Sequence, residues 1–471
     1  MTKRWTTLLG GCAALALLCC VPMATRAQEP ETDAPPKPAG SALPPLATTD
    51  DTPTPDTVFP DGRPLTGVQS PTLGKIESPH SYWIPGFQYS NTIQNNLPGS
   101  TNAGWSVTNF VAANVSLLES WRSSQLSLNY SGGGSFSTDS AQGSGTFQQL
   151  GVSQLFQWSR WQLQFFDQMS YLPESQFGFG AGTGLGLPGG GVPLSPPQTG
   201  VSGNGQSLFS AAGPRFNNVF TTQAIYQISP RASINVSGTD GILRFVDPGN
   251  VDSNNIGASV GYNYQLSKTD TIGVVYHFSR YSYVGNPQSI NDNSFNFAYG
   301  KKITGRLALQ VFGGPDITDF KVAIGNQSRQ VTGSGGANLS YAINRGVLSA
   351  GYTHGVTGGS GVFAGSETDE VQANISHQFG RVWQAQANIG FAKNRALANS
   401  AIGGNYDSVF VGGGVSRPFG PNMSFALSYS ARIQNTGGTG TACTGATCNV
   451  NYTQNQISMS FQWHTRPLVL R

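Results

Sequence analysis

Five histidines are the first places to look for chemistry: His80, His277, His354, His377 and His464. A hydrolase would need one of them hydrogen-bonded to a serine nucleophile and oriented by a carboxylate. His277, between Val275 and Ser279 in an alternating run, takes the register of a polar inward face. His377 shares the parity of Ala373, Ile375 and Phe379, and therefore an apolar face. His354, in Tyr352-Thr353-His354-Gly355, has no acidic residue at a fixed spacing. Each is expected to hydrogen-bond within a wall, so no catalytic residue and no enzyme is expected.

Cys443 and Cys448 lie five residues apart, and the neighbouring Asn449, Asn451 and Thr453 are poor metal ligands. In an exported chain such a pair reads as one local disulfide. The run Gly180-Ala181-Gly182-Thr183-Gly184-Leu185-Gly186 ends in no Lys-Ser/Thr and precedes no helix pattern. It reads as a flexible loop rather than a phosphate cradle. No cofactor or metal is therefore expected. A net charge of +3 without a basic stripe argues against nucleic acid.

The elements that position side chains begin after an expected signal peptide, residues 1–27. It has Lys3 and Arg4, an apolar run from Leu8 to Val21, and Thr25-Arg26-Ala27 at the cleavage point. Cys12, Cys19 and Cys20 would leave with it. A lipoprotein signal is set aside because Leu18, before Cys19, is not small. Residues 28–80, with Ala34-Pro35-Pro36-Lys37-Pro38 and Asp51-Thr52-Pro53-Thr54-Pro55, read as a disordered periplasmic linker.

From residue 81 to residue 471 the composition is that of a membrane β-barrel. Charged residues make up 10% of the chain, where about 25% is usual. No apolar run after residue 27 is long enough for a transmembrane helix. Instead Ile256, Ala258, Val260, Tyr262 and Tyr264 interleave with Gly257, Ser259, Gly261, Asn263 and Gln265. Trp383, Ala385, Ala387 and Ile389 alternate likewise with Gln384, Gln386 and Asn388, as do Ile457, Met459 and Phe461 with Ser458 and Ser460. Period two places one set on each face of a strand. A soluble sandwich would use shorter strands and put charges on its wet face; these polar faces carry almost none.

Tight connections are expected at Ser120-Trp121, Ser159-Arg160, Ser229-Pro230, Ser267-Thr269, Thr304-Gly305, Asn344-Gly346, Gly380-Arg381 and Pro418-Pro421. Longer Gly-, Asn- and Ser-rich connections alternate with them, so the short turns should face the periplasm. Arg122, Arg160, Arg231, Lys268, Arg306, Arg345, Arg381 and Arg417 sit at these turns, where they would meet inner-leaflet phosphates. Trp121, Trp158, Trp161, Phe379, Trp383 and Phe419 stand beside them as an interfacial girdle. Seventeen alternating segments from Asn109 to Trp463, plus Gly86–Ile93, give an antiparallel up-and-down barrel of eighteen strands. Sixteen would result if the first strand were absent and Leu307–Gly313 miscounted. Asp167 falls on the apolar face, which calls for a bulge at Phe165-Phe166 or a headgroup position.

The phrases Tyr226-Gln227-Ile228-Ser229-Pro230-Arg231 and Tyr264-Gln265-Leu266-Ser267-Lys268, with an echo at Tyr341-Ala342-Ile343-Asn344-Arg345, close descending strands. This resembles large outer-membrane barrels associated with exopolysaccharide loci and, more loosely, porins. Phe461-Gln462-Trp463 resembles the aromatic-ending last strand read by the barrel-assembly machinery, although the tail His464 to Arg471 extends past it. The resemblance implies the outer membrane of a Gram-negative bacterium, with both termini periplasmic and lipids as surroundings.

The inward set is then Ser127, Asn129, Ser233, Asn235, Asn263, Gln265, Gln372, Asn374, Gln384, Gln386, Ser428 and Ser458. An uncharged lining suits a passive channel for small neutral polar solutes, because ion selection needs rings of charge. The alternative is a polysaccharide-export or surface-assembly barrel. The third long connection, about Leu172 to Phe216, corresponds in position to the porin loop that folds into the lumen; a mobile surface flap is the other reading.

Overall fold

The computed structural model describes residues 81–95, 104–138, 144–172, 214–246, 250–321, 327–359, 364–380, 382–397, 405–420, 422–436 and 452–469. The expected signal peptide and linker, most of the third long connection, Arg381, and the Cys443/Cys448 loop lie outside these residues.

Wherever the alternation is sustained, the backbone is extended. The first third comprises β1 (Tyr82–Asn95), β2 (Trp105–Ser120), β3 (Ser124–Ser137), β4 (Ser144–Gln157), β5 (Trp161–Leu172) and β6 (Arg215–Ser229). The middle third comprises β7 (Ala232–Phe245), β8 (Ser253–Gln265), β9 (Asp270–Tyr283), β10 (Asn286–Lys302), β11 (Leu307–Lys321) and β12 (Gln327–Ile343). The last are β13 (Gly346–Thr357), β14 (Ser366–Phe379), β15 (Trp383–Ala396), β16 (Asn405–Phe419), β17 (Met423–Thr436), β18 (Tyr452–His464) and the two-residue β19 (Leu468–Val469). β1 is longer than the expected Gly86–Ile93, and the weak segment at Leu307 opens a full strand.

Each strand from β1 to β18 pairs with the next, always antiparallel, and β18 returns to β1. The closing register runs from Gly86 opposite His464 to Gln94 opposite Gln456. This is a closed, all-β, eighteen-stranded barrel. The tail beyond Trp463 continues the seam. Thr465 N donates to Pro85 O (3.0 Å), and Leu468 and Val469 pair with Trp83 and Tyr82.

The two faces separate cleanly. Ile256, Val260 and Tyr262 are exposed, while Ser259 and Asn263, on the other parity of the same strand, are buried. Phe87, Tyr130, Tyr276, Phe297, Val371, Phe391 and Tyr429 continue the exposed apolar face around the wall. The girdle residues Trp121, Trp158, Trp161, Phe379, Trp383 and Phe419 are exposed beside the short turns. Trp161 packs on Tyr226, and the Arg417 guanidinium lies 5.3 Å from the Trp383 ring and 5.1 Å from that of Phe419. Strands of 12 to 17 residues exceed the about 9–11 that cross the hydrocarbon, so their ends project beyond it. No described helix is long and apolar enough to cross a membrane.

Three local features stand out. β9 and β10 are joined on the long-loop side by Val284-Gly285 alone, with Gly285 at φ 76°. That is the positive φ a two-residue hairpin needs. Asp167 stays on the outer face with no register shift in either pairing of β5. The amide of Asn218 satisfies it instead, donating to Asp167 Oδ1 at 2.8 Å. Finally, β12 and β13 pair only from Gly335–His354 to Ile343–Gly346. Gln327–Ser334 is hydrogen-bonded to β11 alone, so the seam forks above His354.

Close strand approach is tested at Gly133, where an added Cβ would sit 1.8 Å from the Val111 carbonyl oxygen. A Cβ at Gly104 would meet nothing within 4 Å. Gly133→Val should lower the temperature at which the SDS-resistant barrel unfolds on a gel, by roughly 5 °C or more, through overpacking. Gly104→Val should leave it unchanged. Equal melting of the two variants would contradict this packing.

Candidate functional site

The interior is a concave surface that all of β1 to β18 help to build. Alternate residues of each strand point there, and the twelve predicted lining residues all fall on this parity. Their surroundings divide them. Gln384, Gln386 and Ser428 are exposed, and Gln372, Asn374, Ser127, Asn129 and Gln265 are half-buried. Ser233, Asn235, Asn263 and Ser458 are buried. Several of these bond across strands rather than to open water. Asn263 Nδ2 donates to Asn235 Oδ1 (3.3 Å), and the hydroxyls of Thr92 and Ser458 lie 2.9 Å apart. Of the predicted lining residues, the fully exposed ones therefore lie on β15 and β17, with half-buried ones on β3, β8 and β14.

The inward face is not wholly uncharged, contrary to the sequence expectation. Asp292 on β10 and Asp316 on β11 are buried side by side, with Thr318 Oγ1 donating to Asp292 Oδ1 at 3.0 Å. Arg215 on β6 and Arg432 on β17 are also buried inward and within electrostatic reach of each other, although their strands are not neighbours. Arg432 was legible, because it shares parity with Ser428 and Ser430. Arg215 reads as part of the long connection that precedes it. Asp292 lies in Asn291-Asp292-Asn293, where both faces are polar and period two has no contrast. Asp316 follows Gly313-Gly314-Pro315, which reads as a strand breaker.

An apolar cluster also faces inward, at the end opposite the short turns. Tyr281, Tyr283, Ile290 and Phe320 are buried together, with Val251, Val356, Ala364 and Leu397 packed on them. Tyr283 Oη donates to Gly358 O (3.4 Å). Gly365 lies so close that a Cβ there would come within 2.0 Å of Ile290 Cδ1. Gly358, Ala364 and Gly365, between β13 and β14, and Leu397, just after β15, thus lie against this cluster on β9–β11.

The histidines complete the inventory. His277 is buried and its Nε2 lies 2.8 Å from Ser279 Oγ, a serine–histidine pair, but its Nδ1 has no hydrogen-bond partner. The carboxylate that would orient such a pair is missing from that nitrogen. His354 does have acidic partners, which sequence spacing hid because they come from the next strand. Its Nδ1 lies 2.8 Å from Asp369 Oδ1 and its Nε2 3.2 Å from Glu367 Oε1. Arg395 reaches the same two carboxylates at 3.3 and 3.7 Å. With both ring nitrogens engaged, His354 holds the fork of the β12–β13 seam and has none left to serve as a base. His377 packs against Phe379 on the outer face, with ring centroids 4.5 Å apart and planes tilted by 54°.

No protein-family model matches this chain. No curated protein matches it in sequence. Among solved structures, it is similar to the outer membrane protein OpdK from Pseudomonas aeruginosa, at 11% identity and a TM-score of 0.43, over 81% of this chain and 99% of that one. OccK7 (OpdD) from the same organism is similar at 11% identity and a TM-score of 0.43, over 83% and 100%. The FrpB iron transporter from Neisseria meningitidis is similar at 8% identity and a TM-score of 0.38, over 75% and 62%.

The division of faces can be read by thiol labelling in vesicles. In a cysteine-free variant, Gln386→Cys should react with a membrane-impermeant reagent roughly tenfold or more faster than Ile389→Cys, since access governs thiol reactivity. Equal rates at the two positions would contradict the assignment.

Proposed function

We propose that this chain is a passive channel of the outer membrane for small, polar, largely neutral solutes. The observation that carries the reading is the set of inward amides and hydroxyls on the inner wall, with Gln384, Gln386 and Ser428 exposed and Gln372 and Asn374 half-buried beside them, behind an apolar outer face. Such a set exchanges hydrogen bonds with water or sugar hydroxyls and retains neither strongly. The buried Asp292, Asp316 and Arg215 lie on other strands, Arg432 is buried further along the strand that carries Ser428, and no ring of like charge encircles the path among the described residues. An ion-selecting filter would need one.

The apolar face with its aromatic girdle supports a lipid-embedded barrel, and the short turns support a periplasmic position for that rim and both termini. We read the barrel as a conduit rather than a catalyst; the unoriented His277 and the doubly engaged His354 support that. The Phe461-Gln462-Trp463 strand end supports delivery by the barrel-assembly machinery.

Planar-bilayer recording tests the path. The folded barrel should conduct potassium chloride with weak ion preference. Replacing Gln384→Glu and Gln386→Glu together should raise the cation-to-anion permeability ratio by about twofold or more, because lining charge sets selectivity. An unchanged reversal potential in the conducting double variant would place these residues outside the path.

A further inference from the structure

The outer wall of β8–β11 is not smooth. A groove of about 670 Å³ is lined there by Tyr262, Ile272, Val274, Phe297, Val311 and Gly313, and its walls are almost entirely apolar. Register explains its shape. Tyr262 stands opposite Val274, Val274 opposite Phe297, and Phe297 opposite Gly313, which is itself opposite Gly335 on β12. The row thus falls from three large side chains to two glycines, leaving a hollow beside Phe297.

The groove runs toward the short-turn rim, and the chemistry changes along it. Tyr299 follows Phe297 on the same face, and Lys301 follows Tyr299. Lys301 is half-exposed and makes one loose contact, Nζ to Asp270 Oδ1 at 3.8 Å. Asp270 is occupied by stronger partners: Tyr299 Oη donates to its Oδ1 at 2.6 Å, and Ser267 Oγ and Thr269 Oγ1 donate to its Oδ2 at 2.6 and 2.8 Å. The two turns beneath the groove add Lys268 and Arg306, both exposed. An apolar hollow and a cationic rim therefore lie about 13 Å apart, the four residues from Phe297 to Lys301 at about 3.3 Å each.

We propose that this groove binds one anionic phospholipid of the periplasmic leaflet, its acyl chain against Phe297, Val311 and Gly313 and its phosphate against Lys301, Lys268 and Arg306. The bipolar layout matches an amphiphile standing in a leaflet, with one end desolvated and the other at the water boundary. A second barrel would need a broad complementary surface, and this is a single narrow hollow. The proposal rests on the barrel spanning the membrane with its turns toward the periplasm, a reading that conductance of the same preparation reports on separately.

The test is native mass spectrometry of the full chain in mild detergent, titrated with phosphatidylglycerol or with zwitterionic phosphatidylcholine. The unmodified barrel should retain one phosphatidylglycerol with a preference of about fivefold or more, as expected of a basic headgroup site. Lys301→Gln with Arg306→Gln should abolish the preference. Gly313→Phe, which fills the hollow, should reduce retention of both lipids, and Phe297→Ala, which removes a wall without crowding, should do the same. Arg122→Gln, at a distant turn, should change nothing. Retention indifferent to the groove variants, an equal loss with Arg122→Gln, or displacement of the lipid by millimolar inorganic phosphate would each overturn the proposal.

Discussion

A peptide group in hydrocarbon has no water to bond to, so each one left unpaired costs several kcal/mol. Closure answers that constraint here. The ladder runs through all eighteen strands and returns from β18 to β1, leaving no continuous edge in the wall. Once every backbone group is committed to its neighbours, the side chains are free to differ on the two faces. That freedom lets one sequence of alternating residues meet lipid outside and polar groups inside. The β19 pairing with Tyr82 and Trp83 extends the same logic past the last long strand, covering the start of β1.

Charges then go where closure leaves room for them. At the rim of short turns, Arg417 lies over Trp383 and Phe419, and Lys301 lies beside Asp270. Near the opposite rim, His354, Glu367, Asp369 and Arg395 form one network on the outer parity of β13–β15, and Arg329 bonds Asp319 on the adjoining hairpin. The β12–β13 ladder stops where this network begins. Cross-strand ionic contacts thus hold the strand ends together at the point where backbone pairing ceases. Between the rims the outer face is largely apolar; Asp167 and Asp240, both level with Phe220, are carboxylate exceptions, and Asp167 is held by Asn218.

The architecture was legible because period two survives wherever one face is apolar and the other small or polar, as from Ile256 to Leu266. Turn chemistry supplied the rest: Ser229-Pro230 and Ser267-Lys268-Thr269 mark connections that the structure places where expected. The interior was read less completely. Parity identifies an inward side chain but not what covers it, so Asn263 and Gln386 looked alike although one is buried and the other exposed. The acidic pair was hidden for a different reason. Asp292 sits where both faces are polar, and Asp316 follows a Gly-Gly-Pro that is in fact strand. Tyr281, Ile290 and Phe320 are cross-strand neighbours on β9–β11, but Val356, Ala364 and Leu397, which pack on them, come from far along the chain, which no local pattern reports.

Two chemically distinct faces on one closed wall are what the proposed polar route through an apolar barrier requires. The most direct measurement is swelling of vesicles that contain the folded barrel, suspended in isotonic neutral sugars of increasing size. Swelling well above the protein-free rate in a monosaccharide, falling off as the sugar grows, is the predicted result. Swelling at the protein-free rate in every sugar, with the barrel shown to be folded and inserted, would contradict a passive polar channel.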